Sequence, residues 1–304
     1  MPIWVLITIT AAFSQNIRSS LQKYLKGRMG TTGATFVRFG FGLPVAAILY
    51  ALLRYYGHYG PAFSQPFLFW VFVAAISQIV AQALLVHLFS YRNFAVGTAY
   101  SRTEPAQAAL FGILFLGESL GFGGAVAVIL TVFGVMLISL ARSSFSIGGL
   151  VTGLLTRTAG IGLASGLFFG IAAVAYRAAS TSLHASLPAP DYLIQASFTL
   201  LCAITIQTIV MMVWMALRER DEFLAVARAW KPAALVGLVG ALTSFGWFAA
   251  MTLQQAALVK ALGQVEMLFV FGSTVLIFRE KIAKREILGC LFIVAGILVL
   301  LLSR

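Results

Sequence analysis

Charge is what this chain has least of. Only 10% of its 304 residues are charged, and nine are Asp or Glu. Beside 61% hydrophobic residues, so few polar side chains cannot cover a water-soluble fold, and lipid is the implied solvent. Histidine is also scarce: His58, His87 and His184 sit in separate segments, while Asp191 and Asp221 lie at a helix end and in a loop. That pattern lacks the convergent acids, nucleophiles or ligands of an intramembrane hydrolase or transferase. Cys202 and Cys290 have no metal-ligand spacing and read as small apolar side chains within spans. No Walker-type phosphate loop is present, which argues against direct ATP hydrolysis, and neither cofactor nor metal is expected.

What fills the chain instead is apolar sequence. Runs long enough to cross roughly 30 Å of hydrocarbon at about 1.5 Å per residue occur ten times, near residues 3–23, 32–53, 67–90, 94–116, 121–141, 158–180, 191–217, 232–253, 256–278 and 283–302. Met1-Pro2-Ile3-Trp4 runs uncharged into the first of them and reads as a transmembrane start, not a secretory signal. The expected fold is all-α and integral to the membrane.

The two halves echo each other. Leu114, Glu118 and Gly134 recur 162 positions later as Leu276, Glu280 and Gly296, and the same offset carries Ala95 onto Ala257, Ala99 onto Ala261 and Glu104 onto Glu266. The division expected is a first repeat over 1–142, a linker over 143–157 and a second repeat over 158–304, with five spans each. Basic residues at the helix ends set the orientation. Alternate connections hold Lys23, Lys26, Arg28, Arg92, Arg142, Arg157, Arg218, Arg220, Arg228, Lys231, Arg279, Lys281, Lys284 and Arg285, fourteen in all, against Arg54 and Arg304 opposite. The positive-inside rule then places these loops in the cytoplasm and both termini outside it. Net charge of +12 is thus explained by topology, without nucleic acid. Five is an odd number, so the copies insert upside down relative to each other, as in transporters whose substrate site lies between inverted repeats.

Few polar residues lie within the spans. Glu104 and Glu266 each fall about ten residues into a span, where a carboxylate must be ion-paired or protonated. They are candidates for substrate or proton binding; the bland alternative is that they hold the bundle together. Tyr100, Glu104, Gln107 and Phe111 share a face by three- and four-residue spacing. Pro105 cannot donate to the Ser101 carbonyl, which predicts a bend there; Pro44 does the same for Gly40. Gln15, Asn16 and Arg18 mark the first helix as cavity-lining, and Arg38 the second. Arg102 lies two residues from Glu104, on the other side of the helix, so the two are not an intrahelical pair. Gln264 falls two positions before Glu266 and joins the candidate set. Arg177 and Lys260 read as snorkelling residues near helix ends. This excess of guanidinium over carboxylate suits a substrate carrying a carboxylate or phosphate. Glu118 and Glu280, at helix ends, read as turn-fixing carboxylates. Gly134 and Gly296 read as structural positions of the repeat.

Leu116-Gly117-Glu118-Ser119-Leu120 with Gly134, repeated as Phe278-Arg279-Glu280-Lys281-Ile282 with Gly289 and Gly296, resembles the paired EamA repeats of the drug/metabolite transporter superfamily. The resemblance spans the chain. It implies ten helices around a central cavity and movement of a small polar or amphipathic metabolite, amino-acid-like, anionic, zwitterionic or drug-like, with protons as a candidate coupling ion. Two features depart from the family pattern: Arg279 replaces the small residue at Gly117, and members are often drawn with cytoplasmic termini. A bacterial inner-membrane, multi-pass protein surrounded by lipid is expected, and since one chain carries both halves a monomer suffices. The alternatives are a lipid scramblase or a membrane scaffold, either of which would tolerate neutralising both Glu104 and Glu266.

Overall fold

The computed structural model describes residues 2–88, 100–141, 156–269 and 283–303. They form helices α1 Ile3–Lys26, α2 Thr31–Gly40, α3 Gly42–Tyr55, α4 Gln65–Leu88, α5 Glu104–Leu116, α6 Phe122–Ala141, α7 Arg157–Ser182, α8 Tyr192–Arg218, α9 Asp221–Arg228, α10 Trp230–Leu253, α11 Ala256–Gly263 and α12 Lys284–Leu302. A 3-10 turn at Leu183–Ser186 follows α7. Among the described residues six helical stretches are long and apolar enough to cross a membrane: Thr31–Tyr55, Gln65–Leu88, Arg157–Ser186, Tyr192–Arg218, Trp230–Leu253 and Lys284–Leu302. Shorter apolar helices cover Glu104–Leu116 and Phe122–Ile138. The 24-residue α1 lies outside this set. Gln15, Asn16, Arg18, Gln22 and its terminal lysines dilute its apolar character. Leu276, Ala95, Ala99 and the second motif from Phe278 to Ile282, including Glu280, lie outside the described residues.

The chain divides into two compact units. Unit 1 comprises Met1–Ile79 and Ala175–Gln254, and unit 2 comprises Val80–Val174 and Gln255–Arg304, so each draws on both sequence copies. Within unit 1, α2 and α3 pack against α8, their counterpart at the 162-residue offset. A Cβ on Gly42 would lie 3.5 Å from Cδ1 of Ile204, its own counterpart, and the Tyr50 and Phe198 rings are 5.5 Å apart. Rising numbers on one helix meet falling numbers on the other, so the pair is antiparallel. Phe41 separates α2 from α3, and Pro44 sits in the first turn of α3, where its missing donor costs no intrahelical bond. The break predicted from Pro44 is therefore present, three residues before the proline.

The N-termini of these counterpart helices are each held from the connection that follows the other. Asp191 caps α8, accepting from Leu193 N at 3.1 Å and Ile194 N at 3.4 Å through Oδ1, while Oδ2 pairs with His58 Nδ1 from the connection after α3. At α2 the Glu222 carboxylate, from α9 after α8, accepts from Gly30 N at 2.9 and 3.0 Å and from Gly33 N at 3.1 Å. Free amides and the positive helix end both favour a carboxylate there. A Cβ on Gly33 would come within 2.2 Å of Glu222 Oε2, so the glycine makes room for the cap. We expect Glu222→Ala to lower the unfolding free energy by about 1–2 kcal/mol, with the deficit shrinking in high salt, as read by thermal melts of the detergent-solubilised protein.

Unit 2 contains a further counterpart pair. Helices α6 and α12 cross so closely that a Cβ on Gly134 would lie 2.6 Å from the Gly289 carbonyl oxygen, and one on Gly289 the same distance from that of Gly134. A Cβ on Gly296, counterpart of Gly134, would lie 3.0 Å from the Ala127 carbonyl oxygen, and Ala127 is the counterpart of Gly289. Phe133 and Phe292 rings lie 5.0 Å apart between them, and Val135, Ile138 and Ile293 bury the seam. Again the order is antiparallel, and again equivalent residues exchange roles. Small residues let backbones approach in lipid, where packing is the main force between helices. The structural reading of Gly134 and Gly296 thus has a physical basis in this contact.

Candidate functional site

Both units bury polar side chains among their apolar helices. In unit 2 they centre on the two repeated carboxylates. Neither carboxylate sits in mid-helix. Arg102 and Thr103 form a turn, and Glu104 opens α5 with Pro105 as its second residue. The expected bend at Pro105 is therefore a break: proline fits a helix start, where its absent N–H has no partner to lose. The second copy breaks at the equivalent place, with Gln264 as the turn between α11 and helical residues 265–269. Nothing in its sequence announces this, since Met267 stands where the first copy has proline.

The carboxylates are cross-paired. Lys260 Nζ of α11 lies 2.9 Å from Glu104 Oε1, and Arg102 Nη1 lies 3.7 Å from Glu266 Oε2. Each repeated glutamate thus receives a cation from the segment that carries the other. The snorkelling reading of Lys260 is corrected by this pair, which offers its ammonium a desolvated counter-charge in place of water. Arg102, as expected, does not serve Glu104. Thr103 Oγ1 donates to Tyr100 O at 2.7 Å and accepts from Gln107 Nε2 at 2.7 Å, lacing the break together. Oε1 of Gln107 and Oε1 of Gln264 are buried without a hydrogen-bond partner among the described residues. Two acceptors therefore stand unfilled in the unit that holds the ion pairs. Tyr100 lies in an apolar cluster with Ala159, Met136 and Leu163. Because the chain turns at residues 102–103, the helical spacing that put Tyr100 on the Glu104 face does not run through.

At the far end of α5, Gly117 adopts φ of 63°, a left-handed conformation that favours glycine, and its N–H and that of Glu118 both reach the Gly112 carbonyl. The Glu118 carboxylate folds back to within 2.8 Å of where a Cβ on Gly112 would stand, consistent with a turn-fixing role. Glu286, which the sequence reading passed over, accepts from Ala283 N at 3.1 Å and starts α12.

Unit 1 holds the other candidates. Arg18 and Arg38 are 6% and 4% exposed, and both stems lie against Gly240 of α10. Arg38 Nη2 donates to Ser244 Oγ at 3.2 Å. Trp247 Nε1 donates to Gln15 Oε1 at 2.9 Å. Nearby, Gln207 Nε2 donates to Gln78 Oε1 at 2.7 Å and to the Tyr176 hydroxyl at 3.0 Å, which itself donates to Gln78 Oε1 at 2.7 Å. Arg177 does not snorkel; its Nη1 donates to the carbonyls of Met251 and Gln254 at 2.7 and 2.6 Å, closing the end of α10. Among the described residues no cluster of three or more His, Cys, Asp or Glu is placed to hold a metal ion.

Ion pairs built on a carboxylate that an internal repeat duplicates, on broken apolar helices, are features of membrane transport proteins. The EamA-like transporter family model matches this sequence twice, over residues 2–140 and 157–302. The chain belongs to the EamA-like transporter family. As an EamA member it is a multi-pass membrane protein of the drug/metabolite transporter superfamily, as the repeated motif indicated. No curated protein sequence matches it. A protein of known crystal structure is similar over 100% of this chain and 99% of its own, with a TM-score of 0.68 at 16% identity, a likeness of fold.

Proposed function

We propose that this EamA member is a secondary transporter that moves a small polar or amphipathic metabolite by alternating access. In this reading ten spans form two inverted five-helix repeats in a bacterial inner membrane, with the basic loops cytoplasmic. The antiparallel contacts between counterpart helices, with equivalent residues exchanged across them, support the inversion.

The observation that carries the functional reading is the cross-pairing of Glu104 with Lys260 and of Glu266 with Arg102. A carboxylate cannot hold a proton and keep its full attraction for a cation. Protonating Glu104 releases Lys260, and protonating Glu266 releases Arg102. Proton loading is thus coupled to loosening of the α5–α11 contact. The two pairs are unequal here, at 2.9 and 3.7 Å. In an inverted repeat, exchanging the conformations of the halves would exchange the surroundings of Glu104 and Glu266, the two equivalent carboxylates.

The test is counterflow in proteoliposomes over a panel of amino acids, sugar phosphates and cationic drugs, beside a fluorescent-lipid flip assay. Saturable exchange of at least one solute without lipid movement is the expected result. Lipid flipping with no saturable solute exchange overturns the transport reading.

A further inference from the structure

Unit 1 has an imbalance of charge that its own residues do not resolve. Its first segment, Met1–Ile79, contains no Asp or Glu, and its second contains only Asp191, Glu219, Asp221 and Glu222. All four flank the ends of α8. Asp191 is taken by His58 and the α8 cap, Glu222 by the α2 amides, and Glu219 Oε1 accepts from Trp214 Nε1 at 3.2 Å. Asp221 stands exposed in the first turn of α9. None of them reaches Arg38, seven residues inside the Thr31–Tyr55 span.

Arg38 is nonetheless 4% exposed. Among the described residues its polar contact is Ser244 Oγ and its Nε is buried without a hydrogen-bond partner; its guanidinium lies 5.3 Å from the Phe39 ring centroid. Among the described residues, the titratable groups that bear on it are Arg18, a second cation, and Tyr176. Tyr176 is committed to Gln78 and Gln207. A buried guanidinium answered by one neutral hydroxyl is costly to maintain. It is maintained where binding an anion recovers the cost, and an Arg edge with an open Nε–H matches two oxygens of a carboxylate or phosphoryl group.

We propose that Arg38, seconded by the Ser244 hydroxyl and the field of Arg18, receives the oxyanion of the transported solute, so that the substrate class is an organic acid or phosphate monoester. This rests on the transport reading above and sharpens it. It also accounts for Gly240, whose missing side chain leaves room for both arginine stems: a Cβ there would stand 3.2 Å from Arg38 Cγ and 3.5 Å from Arg18 Cδ.

The experiment uses the full chain in nanodiscs, with benzoate and glycerol 3-phosphate as oxyanion probes and with chloride, benzamide and glycerol as controls. Thermal unfolding and calorimetric titration are the readouts. At least one oxyanion should raise the melting midpoint where its neutral analogue does not, and the stronger probe tells carboxylate from phosphate. Arg38→Met should weaken that probe about ten- to a hundredfold. It should also leave the ligand-free midpoint unchanged or higher, because it removes a charge the empty protein leaves uncompensated. Arg38→Lys should keep part of the binding and Ser244→Ala should lose several-fold. A ligand-free midpoint that falls in Arg38→Met would show a structural arginine and overturn the proposal. So would an anion shift that survives the substitution, no shift from either oxyanion, or an equal shift from chloride. Counterflow separates the two readings. Exchange of a neutral or cationic solute, unaffected by Arg38→Met, would sink the oxyanion assignment and spare transport. Oxyanion binding without exchange of any solute would do the reverse.

Discussion

Gly134→Leu is expected to prevent recovery of a monodisperse protein. The position offers no direction of escape, because an added Cβ meets the Gly289 carbonyl oxygen at 2.6 Å and Ile293 N at 2.9 Å, both backbone atoms. Relief requires α6 and α12 to move apart over a contact running from Gly123 beside Ser303 to Gly134 beside Gly289. In lipid no hydrophobic force restores what that separation loses. Overpacking costs 1–3 kcal/mol in ordinary cores, and here, against rigid backbone, about 3 kcal/mol or more. The readouts are size-exclusion profile and thermal midpoint. Gly160→Ala is the control, since among the described residues a Cβ there would meet open space. Equal behaviour of the two variants would mean that the α6–α12 contact is not as described.

Lys260→Met is the second large effect. It strips Glu104 of the ammonium at 2.9 Å and leaves a carboxylate whose side chain is 16% exposed. Removing one partner of a fully buried pair costs 3–5 kcal/mol; partial exposure of both groups brings this to about 2–3 kcal/mol. Adding Glu104→Gln removes the stranded charge, so the double variant should recover most of the loss, with a coupling energy of about 2 kcal/mol. Arg102→Met should cost less, about 1 kcal/mol, because its pair is longer at 3.7 Å and Arg102 is 27% exposed. Simple additivity of Lys260→Met and Glu104→Gln would refute the pairing.

Much of this site was visible in the sequence because it is duplicated. The 162-residue offset singled out Glu104 with Glu266 and Gly134 with Gly296; the helical spacing that separated Arg102 from Glu104 gives way to a turn at residues 102–103, and Arg102 faces Glu266 instead. What stayed hidden depends on non-local contact. Lys260 reads as a snorkelling residue when only its distance from a helix end is known; its partner is 156 positions earlier in the chain. The Glu222 clamp joins residues 192 positions apart and leaves no periodic trace. Pro105 signalled a disturbance without distinguishing a bend from a new helix start, and the matching break at Gln264 has no local marker. The halves of the sequence are also not the compact units of the fold, because counterpart helices pack on each other and so each unit draws on both copies.

In the proposed mechanism the paired carboxylates couple proton movement to solute movement. Its most direct test is solute-evoked current on a solid-supported membrane, with and without a pH gradient, using the solute that exchanges best in counterflow. The wild type should give a gradient-dependent current, and the Glu104→Gln, Glu266→Gln double variant should still bind that solute yet give none. A gradient-dependent current that persists undiminished in the double variant would contradict the claim.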